Sequence, residues 1–451
     1  MRPRLVMKFG GTSLATAEAM QRVAEHVIYE DRPKLVIVSA VGGVTDLLLE
    51  AAYAACAKTA AEPFVIEIRK RHFEIVDKLS IDSQVIAQLD QELDRLLTGI
   101  SMLGELSPRT RDALVSLGER ISARLFAATL QKRNHSARAY DSWELGLTTN
   151  DVHACAEPRP ECLGEISQAI SAIEDGLTPV VTGFIGRSPT GEITTLGRGG
   201  SDFSAALFGL AAEVEEIQIW TDVQGILRAD PRVVPGAEVI PMIRFEEAAE
   251  LAYFGAKVLH PRTIEPARRK NIPVRVLGTF QVDPKDPTPI WEQGTLIDDR
   301  APSEPVRALA LQRQVESLHV HSMRMLEAPG FLSRVFEILA RRRISVDVIA
   351  TSEVSISMTF DRTEGDLNAA IEEISTFAEV EREPNRSILC LVGSGLREDA
   401  GLLSRIFDIL SQNQVPVYVI SQGASRINIT LVTDPAHALN GMRALYQELF
   451  G

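Results

Sequence analysis

Apolar residues follow two rhythms along this chain. In the first, five or six mostly apolar residues end on glycine or serine and give way to a helical pattern. Arg4 to Phe9, Lys34 to Ser39, Thr178 to Phe184 and Glu216 to Thr221 all read this way. Runs of this kind mark strands buried on both faces, and their alternation with helices predicts an α/β domain with a mainly parallel central sheet. Ligands of such a sheet collect at the carboxyl ends of its strands. Between about 50 and 135 the texture changes to a charge-rich, glycine-poor stretch with Leu89, Leu93, Leu96 and Leu97 at helical spacing. It reads as a helical insertion that covers or frames the site.

The second rhythm follows a proline-rich stretch, Pro284, Pro287, Pro289, Pro302 and Pro305, that predicts a domain boundary. Gly330-Phe-Leu-Ser-Arg-Val-Phe-Glu-Ile-Leu339 recurs as Gly401-Leu-Leu-Ser-Arg-Ile-Phe-Asp-Ile-Leu410. The match runs on without a gap at an offset of 71, through Val346/Val417, Ile349/Ile420, Ile356/Ile427 and Thr359/Thr430, with 12 identities in 31 positions. Each copy reads as a turn, an amphipathic helix and two strands, so two copies of one small α+β unit are expected. The predicted organisation is a first domain over 1–298 and a tandem repeat over 306–451, with units near 316–380 and 387–451.

Composition narrows the class. The 451 residues are 45% hydrophobic and 24% charged, as in a soluble globular protein, and the length calls for more than one core. A net charge of -14 argues against nonspecific nucleic-acid binding. No apolar run approaches the roughly 20 residues of a membrane span. Met1-Arg-Pro-Arg-Leu-Val-Met-Lys8 meets charge too early for a signal peptide. Cys56, Cys155, Cys162 and Cys390 lack metal-ligand spacing, so neither zinc nor a disulfide framework is expected, and the cytoplasm is the expected location.

Glycine segments at the predicted strand ends carry the chemistry. In Lys8-Phe-Gly-Gly-Thr-Ser13, Gly10 and Gly11 free backbone N–H groups for a phosphate, Thr12 or Ser13 is placed to cap the helix, and Lys8 supplies positive charge. Taken alone the segment reads as a tight strand-to-helix turn. Neither a Gly-x-x-x-x-Gly-Lys-[Ser/Thr] loop nor a Gly-x-Gly-x-x-Gly fingerprint stands at a strand end, which disfavours the two commonest nucleotide folds. Gly197-Arg-Gly-Gly-Ser-Asp202 puts Arg198 between glycines, where its guanidinium can grip a carboxylate. Ser201 is placed to cap the next helix and Asp202 to pair with Lys8; a capped helix after a glycine loop is the plainer alternative.

Leu117-Gly-Glu-Arg120 places Glu119 at the start of an apolar helix, as a partner for a substrate ammonium or as an ordinary surface glutamate. Ser39 and Thr45 bracket Val41-Gly-Gly-Val44 and can bond substrate oxygens, though Ser39 also suits a strand end. Thr221 and Asp222 follow a strand, where they can meet a nucleoside, while Arg232 and Lys257 suit phosphates. Trp220 reads as core and His260 as structural. The other histidines stand away from these motifs, which disfavours a histidine-based hydrolase.

Together these segments resemble the amino-acid kinase superfamily and, within it, the aspartate kinases. Lys-Phe-Gly-Gly-Thr-Ser, Gly-Arg-Gly-Gly-Ser-Asp, Trp-Thr-Asp-Val, Asp-Pro-Arg and Gly-Ala-Lys-Val-Leu-His-Pro stand in that family's order, and the tail resembles its tandem ACT regulatory modules. Met325, Gly330-Phe-Leu332 and Ser345-Val-Asp-Val-Ile-Ala-Thr-Ser-Glu-Val354 resemble the lysine-sensitive monofunctional branch. The chain ends at Gly451, so no fused homoserine dehydrogenase is expected.

The resemblance implies a kinase-type sandwich followed by ACT modules, and ATP-dependent phosphorylation of the L-aspartate β-carboxylate, with Mg2+ carried by ATP. It assigns Lys8 and Asp202 to catalysis, and Ser39, Thr45, Glu119, Arg198, Gly199 and Ser201 to the substrate. Gly10, Gly11, Thr221, Asp222, Arg232, Lys257 and Val258 fall to the nucleotide. Met325, Gly330, Phe331, Leu332, Ser345, Val346, Asp347, Ser352 and Val354 fall to an L-lysine effector. It also implies a homodimer, or a tetramer, through residues 306–451. Two positions depart from the family pattern. Leu227 stands where close relatives carry tyrosine, and Leu326-Glu-Ala-Pro-Gly330 stands where a His-Ser-Arg-Gly turn is usual. Other acceptors of the superfamily (glutamate, acetylglutamate, carbamate, UMP) and a catalytically silent amino-acid sensor are the competing readings.

Overall fold

The computed structural model describes residues 1–254, 261–286, 290–325, 329–360, 365–399, 401–423 and 427–451. They divide into two compact units, the first of 1–226, 239–245 and 257–301 and the second of 227–238, 246–256 and 302–451.

The first unit is built on β1 (Leu5–Phe9), β2 (Lys34–Val38), β3 (Ala137–Tyr140) and β4 (Thr178–Thr182), then the small hairpin β5 (Ile185–Arg187) and β6 (Ile193–Thr195). It continues with β7 (Glu216–Thr221), β8 (Met242–Ile243), β9 (Val274–Gly278) and β10 (Thr295–Ile297). Eight of these form one sheet in the order β3-β4-β2-β1-β7-β9-β10-β8, parallel throughout except for β9 against β10. This mainly parallel sheet is the one the apolar runs predict. From central β1 the chain first goes to β2 on one side and returns later as β7 on the other, which opens a crevice at the carboxyl ends. Five consecutive buried residues in β1, and five more in β2, leave no solvent face, so helices must cover both sides. Phe9 stacks on Trp220 with ring centres 5.7 Å apart, and both are fully buried.

Helices α1 (Ala17–Tyr29), α2 (Val44–Cys56), α3 (Glu62–Leu79), α4 (Gln84–Leu103) and α5 (Pro108–Lys132) follow, the last four forming the predicted insertion. Leu89, Leu93 and Leu97 are its buried stripe, with Leu96 half-buried beside them. Then come α6 (Cys162–Ser171), α7 (Gly200–Ala212) and, after α8 (Phe245–Tyr253), which from Glu246 on belongs to the second unit, α9 (Pro261–Arg269). Two predicted caps are corrected. Residues Thr12–Leu14 form a 3-10 turn with no side-chain cap, and α1 starts later, capped by Thr16 accepting from the Ala19 N–H at 3.2 Å. Gly199, at φ +70°, precedes α7, so Ser201 lies inside the first turn rather than capping it. Glu119 is likewise not at a helix start but in the buried middle of 25-residue α5.

The second unit carries β11 (Ala308–His321), α10 (Phe331–Arg341), β12 (Val348–Thr351), β13 (Ser355–Phe360) and α11 (Leu367–Ile374). β14 (Glu379–Val392), α12 (Leu402–Gln412), β15 (Val419–Ser421), β16 (Asn428–Thr433) and α13 (Pro435–Phe450) repeat the plan. The offset of 71 seen in the sequence maps β11 onto β14 and α10 onto α12 end to end. It also maps Gln314 onto Asn385, both at φ +63° where the strands bulge. Strand order is β12-β13-β11-β14-β16-β15, all antiparallel. The two long strands stay paired with each other across the bulge, but on either side of it they pack on different cores. Residues 315–321 of β11 lie on the core of α10 and α11, whereas Leu309 packs into the core of α12 and α13. Each repeat therefore borrows half a strand from the other. Among the described residues no helix is long and apolar enough to cross a membrane.

Candidate active site

A cavity of about 520 Å³ opens at the carboxyl ends of β1 and β2 in the first unit. Lys8, Gly11, Ser39, Thr45, Glu119, Arg198, Gly199, Ser201 and Asp202 all line it, so segments nearly 200 residues apart converge. β1 carries Lys8 to the mouth, and the glycine turn after it is pinned to the neighbouring strand by Gly10 N–H donating to Trp220 O at 3.2 Å. Gly11 and Gly42 pack backbone to backbone. A Cβ on Gly42 would stand 2.9 Å from the Ala15 Cβ and 3.1 Å from Gly11 O, so only glycine lets these turns close.

Lys8 Nζ lies 2.6 Å from Asp202 Oδ1, and both side chains are almost buried. The positive dipole end of α7 favours the Asp202 carboxylate in its first turn. The pair holds a localised ammonium on the cavity lining, paired with a carboxylate. Glu119 is 3% exposed. One of its oxygens accepts from the Ala40 N–H at 3.2 Å, while Oε2 has no partner among the described residues. Burial pushes its carboxyl up to about 8, against a small opposing effect of the Ala40 N–H. Such a group waits for a cation.

Arg198 sits between two residues in left-handed backbone, Gly197 at φ +77° and Gly199 at φ +70°, which a side chain would strain. Phe184, Arg111 and Asp112 are among the lining residues that the sequence reading did not assign. Phe184, at φ +68°, closes one wall. Arg111 and Asp112 come from near the start of α5, and Asp112 accepts from Thr195 N and Oγ1 and from Ala154 N at 2.9–3.0 Å. Their only sequence signal was their spacing of seven or eight residues from Glu119, two helical turns along one face.

The expected nucleotide residues fall in both units. Thr221 and Asp222 stand at the end of β7 beside Gly10, with Thr221 Oγ1 donating to Asp222 at 3.0 Å. Arg232 belongs to the second unit, is 78% exposed and is clamped to Asp230 at 2.7 Å in a local turn. Lys257, Val258 and His260 lie outside the described residues, as do positions 326–328 of the effector turn.

The amino acid kinase family pattern matches residues 3–278, and the ACT domain pattern matches 319–376 and 389–449. Aspartokinase 2, chloroplastic, of Arabidopsis thaliana is 40% identical over 465 residues, spanning 99% of this chain and 84% of that one. The chain belongs to the aspartokinase family. The crystal structure of E. coli aspartokinase III with aspartate and ADP, an R state, matches it with a TM-score of 0.83 at 36% identity, over 99% of this chain and 100% of that one. The T state of that aspartokinase, with lysine and aspartate, matches with a TM-score of 0.78 at 36% identity, over 99% of both chains.

In this aspartokinase chain the residues expected to meet an effector gather on the first repeat. Met325, Phe331 and Val346 pack on one core, and Ser322 N–H donates to Val354 O, which joins the Met325 turn to the β12–β13 hairpin. Gly330, at φ +90°, starts α10, followed by Phe331 and the exposed Leu332. Ser345 is exposed, and Ser352 bonds Ser355 across the hairpin at 2.7 Å. Asp347 precedes β12 and accepts from the Tyr253 hydroxyl at 3.1 Å. In the second repeat the positions of Ser345 and Asp347 are Pro416 and Tyr418, and the Tyr418 hydroxyl donates to Asp434 at 2.6 Å. A carboxylate fit for an amino-acid ammonium is therefore present in one copy and absent from its counterpart.

Proposed function

We propose that this chain transfers the γ-phosphoryl group of Mg-ATP to the β-carboxylate of L-aspartate, giving 4-phospho-L-aspartate for the synthesis of lysine, threonine and methionine. The observation that carries the reading is the charge pattern of this cavity: a buried carboxyl at Glu119 with one oxygen unpartnered and a guanidinium at Arg198 without a side-chain partner, both among the described residues, and the Lys8–Asp202 pair at the glycine turn. An α-amino dicarboxylate supplies the complement of each. Its ammonium meets Glu119, its α-carboxylate Arg198, and its β-carboxylate points at Lys8, with Ser39, Thr45 and Ser201 lining the same wall.

The chemistry needs no enzyme nucleophile. A β-carboxylate oxygen attacks the γ-phosphorus as the bond to ADP breaks, and no proton moves at the acceptor. Lys8 offsets the charge on the phosphoryl oxygens in flight, and Asp202 keeps its ammonium in place. Backbone N–H groups at Gly10 and Gly11 suit the phosphate chain, and Thr221 and Asp222 the nucleoside. Mg2+ would come with ATP and would supply positive charge to its phosphates, held by the nucleotide rather than by a cage of protein carboxylates.

L-Lysine inhibits by binding the first repeat, its ammonium on Asp347, and two copies of the chain associate through the C-terminal units. An ADP-release assay comparing L-aspartate with L-glutamate, N-acetylglutamate and UMP, with and without lysine and threonine, tests the reading. Turnover confined to aspartate and suppressed by lysine is expected. Lysine binding with no ADP formed from any acceptor would refute it in favour of a silent sensor.

A further inference from the structure

Arg111 shares the cavity with Arg198, and among the described residues neither guanidinium has a side-chain partner. Arg111, Val115 and Glu119 follow at intervals of four along α5 and all face this space. Eight residues separate Arg111 from Glu119, about 12 Å along the helix axis. Glu119 is fixed at the β2 end through Ala40, whereas Arg111 is fixed at the other end through its neighbour. Asp112, 1% exposed, grips Thr195 at 2.9 and 3.0 Å and Ala154 at 2.9 Å, and it faces His153 at 3.1 Å. Thr195 leads by two residues into Gly197, whose Cα approaches the Ala154 carbonyl so closely that a Cβ would stand 3.2 Å from it. The base of Arg111 and the loop of Arg198 are thus tied to the same two anchors.

From this geometry we infer that Arg111 is a specificity-determining residue for the carboxylate that is not phosphorylated, acting with Arg198 as a pair of guanidiniums around one anion. The inference rests on the aspartate reading above. Two guanidiniums in one cavity, without side-chain partners among the described residues, repel until an anion comes between them, and the acidic neighbour of Arg111 in the chain, Asp112, is already committed to Thr195, Ala154 and His153. Asp46 lines the cavity from α2, exposed to solvent. Arginine suits the role because its planar donors match a carboxylate and its charge survives partial burial.

The test uses L-aspartate and its α-amide, which keeps the ammonium and the β-carboxylate but lacks the second charge. In the full chain with Mg-ATP, Arg111→Met lowers kcat/KM for aspartate about ten- to a hundredfold, nearly all through KM for aspartate. The α-amide, already a poor substrate, loses less than about threefold. KM for ATP is unmoved, and Arg111→Lys recovers part of the loss. Equal loss on both substrates marks a structural arginine and overturns the inference, as does no loss on either. If the unaltered chain turns over no aspartate, the reaction itself is refuted and the inference with it; unchanged discrimination in an active enzyme overturns Arg111 alone.

Discussion

Glu119 offers the sharpest check on the site, because a fold has little reason to bury a carboxyl with one oxygen unpartnered. Its ordinary value of 4.5 rises to about 8 through desolvation, so the folded chain binds this proton far more tightly than the unfolded chain does. Stability from this group is therefore full below pH 4.5 and is lost as pH rises towards 8. Each tenfold in proton affinity is 1.36 kcal/mol, so complete ionisation costs on the order of 5 kcal/mol in the ligand-free protein. Glu119→Gln keeps the shape and the acceptor for Ala40 N–H but cannot ionise. Its thermal midpoint, measured without ligand against the unaltered chain, matches at pH 5 and exceeds it increasingly towards pH 8.5. The gap at the alkaline end is several degrees, taking about 2 °C per kcal/mol for a domain of this size. L-Aspartate narrows the gap by bringing an ammonium to the parent carboxylate, while the variant loses aspartate turnover. A gap that does not change with pH between 5 and 8.5 would refute the argument that this carboxyl is held uncompensated for a ligand.

Lys8→Met lowers kcat about 10²- to 10³-fold with little change in KM for aspartate, read by single-turnover ADP formation, because it removes charge felt at the phosphoryl group in flight. Asp347→Asn raises the lysine concentration for half-inhibition at least tenfold while activity without lysine is kept; unchanged inhibition would remove Asp347 from the effector site. Tyr253→Phe frees Asp347 from the hydroxyl it now holds at 3.1 Å, so half-inhibition by lysine falls about two- to tenfold in a lysine titration. Gly118→Ala puts a Cβ 2.8 Å from that of Ala40, pushing α5 from β2, and costs about 1–3 kcal/mol by urea denaturation together with a raised KM for aspartate.

Local backbone chemistry was legible in the chain itself. Strand ends at Phe9 and Thr221, the glycine turn after Phe9 and the duplication at an offset of 71 follow from short-range rules, since burial on both faces and left-handed backbone leave direct marks on residue choice, whereas the strand expected to reach Phe184 stops at Thr182. Even the Lys8–Asp202 pair could be anticipated, because Lys8 stands at the carboxyl end of a strand and Asp202 in the first turn of a helix that follows a glycine loop. Caps were less legible: Thr12 and Ser13 look like caps, yet a 3-10 turn intervenes and Thr16 takes the role. Residue patterns alone could not tell Glu119 from a surface glutamate, and Arg111 and Asp112 went unread. Their burial depends on how the four-helix insertion lies against the sheet, which is settled by packing between residues far apart in the chain. The exchange of half-strands between repeats has the same origin. A repeat in the sequence fixes what each unit contains, but which half of β11 pairs with which half of β14 depends on a bulge at Gln314 and Asn385 and on the two cores competing for the same strands.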